Sequence, residues 1–193
     1  MKKMMLSIII VFGLSTVINV CTTNSVIVAE AKQEEKTLFD KGWKNFKKKW
    51  EKAMNPNHRN LSIVEFKGKE ESYPGMFYKG EVRSYLFVGA ETKSMKSKKF
   101  RSVSVVGFIS PEKQNSDYNT LVAGVKLIQI ANPNISIEMV KEIAYGHLGL
   151  GEEFLVDGTK KTYSYKGVKY TAEYTADDKH PDNGIFTLTV EKE

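Results

Sequence analysis

Val168-Lys169-Tyr170-Thr171-Ala172-Glu173-Tyr174 alternates an apolar or aromatic residue with a polar one over seven positions. Successive side chains of a strand point to opposite faces, so this stretch has one buried face and one wet face. Strands of that kind belong to antiparallel sheets that are covered on one side only. Lys166-Gly167, just upstream, reads as a tight turn, and residues 162–165 as the strand that enters it. Downstream, residues 177–184 read as a loop and 185–190 as a last strand.

Further upstream the same period of two recurs. Residues 61–66, 76–78, 82–88 and 100–109 read as strands, separated by a turn at 68–72, by Pro74-Gly75 and by a lysine-rich hairpin loop at 89–99. Residues 120–130 are apolar on both faces, which predicts a central strand. Two segments change to the helical period. Phe39, Trp43, Phe46, Trp50 and Met54 recur at steps of four, three, four and four, which predicts a helix over 38–54 that Asn55-Pro56-Asn57 stops. Ser136 is placed to cap a second helix, whose stripe is Ile137, Val140, Ala144 and Leu148 with Gly149 beyond its end. The expected architecture is α+β: a mostly antiparallel sheet of about seven strands, an N-terminal amphipathic helix and one mid-chain helix. The aromatic stripe of the first helix suits packing on the sheet. The alternative is a membrane-surface helix, since lysines fill much of its other face.

Lys2 and Lys3 precede an apolar run from Met4 to Val20, and Ala29-Glu30-Ala31 follows it. A positive start, an apolar core and an A-x-A site make the layout of a secretory signal peptide over 1–31. The expected product is a secreted, extracellular domain over 32–193, with 32–37 loose, from a Gram-positive bacterium. A membrane anchor and a lipid attached at Cys21 are the alternatives. Cys21 is the single cysteine and lies in the leader, so the remaining chain has no disulfide, no thiolate nucleophile and no cysteine-based zinc site.

The formal charge is +6, unevenly spread. Residues 36–101 hold 17 Lys and Arg against 7 Asp and Glu, whereas residues 102–193 hold 9 against 13. The basic half suggests a surface that meets polyanions. The candidate residues are Lys41, Lys44, Lys48 and Lys52 on the first helix and Lys93, Lys96, Lys98, Lys99 and Arg101 on the hairpin loop and strand start. The bland alternative is a solvated surface that keeps the protein soluble.

Catalytic patterns are missing. His58, His147 and His180 have no metal-ligand spacing, and neither a nucleophile elbow nor a phosphate loop occurs. Asp177, Asp178 and Asp182 lack calcium-loop spacing and read as a solvated turn. Glu152-Glu153 could supply an acid and a base, but they read as a charged loop. No catalytic residue, metal or cofactor is expected.

Asn134-Ile135-Ser136-Ile137, Val140-Lys141 and Ala144-Tyr145-Gly146 resemble the helix segment of the immunodominant staphylococcal antigen B family. The tyrosine-rich strands that follow and the closing Thr187-Leu188-Thr189-Val190 are similar in style. The resemblance covers about the last 60 residues, with a gap inside the helix, and implies a small, exported, virulence-associated protein without an enzymatic site. The expected function is therefore non-enzymatic binding of a nucleic acid, glycosaminoglycan or wall polymer through the basic face. The alternatives are a secreted inhibitor or toxin-like protein that masks a host protein and, from another class, a small wall-associated hydrolase.

Overall fold

The computed structural model describes residues 38–193 except 41, 73, 152 and 153, so the 1–31 leader, residues 32–37 and Lys41 lie outside the described residues. Seven strands run β1 (Glu65–Ser72), β2 (Gly75–Arg83), β3 (Leu86–Thr92), β4 (Phe100–Ile109), β5 (Lys160–Tyr165), β6 (Val168–Ala176) and β7 (Gly184–Lys192). They pair as one antiparallel sheet in the order β1-β2-β3-β4-β7-β6-β5. The fold is α+β. Two meanders, β1 to β4 and β5 to β7, join where β4 pairs with β7; one helix precedes β1 and the chain between β4 and β5 carries the others. The helices are α1 (Gly42–Met54), α2 (Ser116–Ala131) and α3 (Ile137–Lys141), which runs on as a π-turn over Glu142–His147.

One face of the sheet is sealed. Val103 and Val105 of β4, Leu188 and Val190 of β7, and Tyr170 and Ala172 of β6 are buried on it. From α1, Phe46, Trp50 and Met54 enter the same core, and Ala123, Leu127 and Ile128 enter it from α2. The Trp50 ring NH donates to the Leu61 carbonyl at 2.7 Å, so this indole is buried with its one polar group satisfied. Trp43, two turns earlier, is only half-buried. It lies over Gly80 of β2, where a Cβ would stand 2.8 Å from the ring. The buried side of α1 is thus turned to the sheet. The other face of the sheet meets water and is rich in hydroxyls: the Ser104 and Thr189 side chains share a hydrogen bond at 2.9 Å across β4 and β7.

Three expectations are corrected. Residues 120–130 are helix, not strand, so the chain has two mid-chain helices instead of one. The buried positions of α2 are 116, 119, 120, 123, 124, 127, 128, 130 and 131, the helical period. Its β-branched residues favour a strand locally, but the exposed part of the helix is itself apolar and hid the period. Close packing required small residues instead. Thr120 sits so near β4 that a Cβ at Gly107 would lie 2.3 Å from its side chain. Second, β1 runs through the predicted turn at 68–72, with a register shift between Phe66 and Gly68. Its burial is low because it is an edge strand, so the hydrophobic signal of a strand is missing. Third, the predicted strand over 82–88 is divided by a turn at Ser84 and Tyr85.

Candidate functional site

The candidate lysines fall into two groups, on α1 and in the β3–β4 loop, that meet where the loop adjoins the start of the helix. On α1, Lys44, Lys48 and Lys52 follow each other at steps of four and are all exposed. Such spacing places them in one row along the helix. In the β3–β4 loop, Lys93, Lys96, Lys98 and Lys99 are exposed as well. The loop meets the start of α1 directly. At Gly42, a Cβ would lie 3.1 Å from the Lys98 carbonyl, and φ there is +69°, a conformation open to glycine. The first turn of α1 and the lysine loop therefore adjoin each other at one end of the sheet.

Charge pairing separates the cations that can meet an anion from those already held. Lys44, Lys48, Lys52, Lys93, Lys96, Lys98 and Lys99 form no salt bridge among the described residues. Lys47, by contrast, pairs with Glu51 at 3.7 Å. Arg101 is held by Glu91, whose hydrogen bond pushes the guanidinium pKa further up. Lys67 lies between Glu65 and Glu81 at 2.7 and 2.8 Å, and its hydrogen bonds to them raise its pKa. Arg101 thus differs from the other described candidates in having a carboxylate partner among the described residues.

The loop is shaped by its own hydrogen bonds. The Lys93 NH donates to the Lys99 carbonyl at 3.0 Å, and the Ser97 NH to the Ser94 carbonyl at 3.0 Å. The Thr92 hydroxyl donates to the Ser94 carbonyl, and the Lys99 NH to the Ser97 hydroxyl. Met95 and Lys96 consequently occupy the two central positions of a turn at the tip.

At the far end of β4 the surface changes character. A cleft of about 700 Å³ opens between the ends of β4, β6 and β7, lined by the apolar Phe108, Ile109, Ala176 and Ile185 and by the charged Asp177, Asp178 and Lys179. That volume falls in the range of ligand sites, about 300–1,000 Å³. Phe108 and Ile185 sit opposite each other in the β4–β7 register, and each leaves more than two-fifths of its surface exposed. Phe87 meets Phe108 edge to face at 6.1 Å, and the Lys79 ammonium lies 4.4 Å above the Phe87 ring. Sequence reading placed only a solvated turn here. The available signal was Phe108 and Ile185 standing at wet positions of their strands.

The histidines do not converge. His147 stacks flat on Tyr163 at 3.7 Å and faces Glu142 at 3.7 Å, His58 borders a groove with Tyr118 and Tyr145, and His180 lies in the β6–β7 loop. Glu152 and Glu153 lie outside the described residues. No group of three or more His, Cys, Asp or Glu side chains that could hold a metal ion occurs among the described residues. Besides the groove at His58, the described residues thus offer a cationic surface and an apolar cleft with a mainly acidic rim. No family model, curated protein or solved structure matches this chain.

Proposed function

We propose that this is a secreted, non-enzymatic binding protein that holds polyanions on the surface shared by α1 and the β3–β4 loop. The observation that carries this reading is the close approach of Gly42 to the Lys98 carbonyl, which joins two lysine groups that are far apart in the sequence. Lys44 in the first turn of α1 then neighbours the loop with Lys93, Lys96, Lys98 and Lys99, Lys48 and Lys52 continue the row along the helix, and none of the seven has a carboxylate partner among the described residues. Exposed ammonium groups on flexible stems attract repeated phosphates or sulfates without selecting a base or sugar. Export is supported by the layout of residues 1–31.

The test is a titration with heparin and with duplex DNA over a range of salt. Binding should be independent of sequence and fall steeply with salt, with a slope of about −0.9 per neutralised phosphate for DNA. Joint replacement of Lys93, Lys96, Lys98 and Lys99 by Glu should abolish it with the fold intact. Absence of binding at low salt, or binding indifferent to salt, removes this reading.

A further inference from the structure

We infer that the cleft at the ends of β4, β6 and β7 receives the Met95–Lys96 tip of the β3–β4 loop from a second copy of this chain. Two features of the tip fit two features of the cleft. Met95 is an exposed apolar side chain, 43% accessible, and the cleft floor is apolar, with Phe108 and Ile185 left open to solvent. Lys93 and Lys96 flank Met95, and on the cleft lining the carboxylates of Asp177 and Asp178 outnumber the single cation, Lys179. A methionine is unbranched and adapts to an irregular apolar surface. The turn bonds of the loop hold the tip in place before contact, which reduces the ordering cost of docking.

The contact cannot close within one molecule. The loop enters β4 at Phe100, and the cleft lies at Ile109, so the ten residues of β4 separate them. At about 3.3 Å per residue, the separation is about 30 Å. The tip of one copy must meet the cleft of another. Each copy then still offers a free tip at one end and a free cleft at the other. Such head-to-tail contacts extend into chains or rings instead of stopping at a dimer. The complementary charges orient the encounter and make it sensitive to salt.

Sedimentation velocity of the purified protein, without any polyanion present, tests this over rising protein concentration at low and moderate salt. The wild type should form species larger than a dimer as concentration rises, and added salt should reduce them. Met95→Asp removes the tip and Ile185→Asp blocks the cleft, so each variant alone should remain monomeric. Their equimolar mixture retains one good tip and one good cleft and should give heterodimers and nothing larger. Circular dichroism checks that both variants fold, and Asp178→Lys is the second cleft variant should Ile185→Asp not fold. A wild type that stays monomeric at every concentration overturns the inference and leaves the cleft open to a host protein. Association of Met95→Asp alone, or a mixture that stays monomeric while the wild type associates, overturns it equally.

Discussion

Val103 and Val105 of β4 lie under the helices and are sealed from water, whereas Ser104 between them faces solvent and bonds Thr189. The contrast repeats across the sheet. On the covered face the pairs are apolar, such as Val105 with Leu188 and Ala172 with Leu188. On the open face they are hydroxyls, such as Ser104 with Thr189 and Thr171 with Thr189. One set of strands thus serves two solvents. The covered face stabilises the fold through apolar burial, and the open face and sheet ends are free to vary in chemistry. The two features with a recognition character, the lysine loop and the apolar cleft, both lie at strand ends.

The covered face should show the largest response to substitution. Trp50→Ala removes a buried indole and its hydrogen bond and should cost about 3–5 kcal/mol in urea unfolding. Trp43→Ala, at a half-buried ring, should cost clearly less. Equal losses at the two positions would break the distinction between the sealed centre of the core and its margin.

The next effect concerns protons. Tyr170 is buried on the covered face, and its hydroxyl has no hydrogen-bond partner among the described residues. Burial pushes its pKa up to about 12, and the nearby Asn132 side chain offsets this only in part. In the unfolded chain the phenol titrates near its ordinary value of about 10. Below that pH both states hold the proton and stability is unaffected. Between about 10 and about 12 the unfolded state ionises first, so stability falls, by on the order of 2 kcal/mol. Urea unfolding across this range should show the decline, and it should shrink in Tyr170→Phe. An identical decline in the variant would assign it to other groups.

On the open face the costs should be smaller. Ser104→Ala loses a partly buried hydrogen bond and should cost about 1 kcal/mol, measured by the same unfolding curves. At the sheet end, each single Lys→Glu change among Lys93, Lys96, Lys98 and Lys99 should alter stability by less than about 0.5 kcal/mol. Thermal unfolding would reveal any larger change. A large loss at one of these lysines would show that the loop supports the fold as well as carrying charge.

The α+β class and the antiparallel sheet were legible because half-buried strands write their two environments into alternate residues. The 168–174 stretch is the clearest case: Val168, Tyr170, Ala172 and Tyr174 are buried, and Glu173 is exposed. Helix α2 was not legible. It is apolar around much of its circumference, and Thr120, Val122, Val125, Ile128 and Ile130 are β-branched, so local preference pointed to a strand. Burial against β4 and β7 outweighed that preference. The 68–72 part of edge strand β1 escaped notice for the opposite reason, since exposed polar residues such as Lys69, Glu70 and Glu71 carry no burial pattern.

The candidate surfaces divide in the same way. The sequence by itself determined the charge imbalance, the lysine runs at 41–52 and 93–99 and the lack of a catalytic motif, because these depend on residue identity and local spacing alone. Only the tertiary structure decided that Lys98 adjoins the start of α1, that Glu91 holds Arg101, and that Phe108, Ile185 and Asp177 border one cleft. Those relations join segments that are separate in the sequence, and the contacts that fix them arise when β3 pairs with β4, β4 pairs with β7 and the helices close over one face.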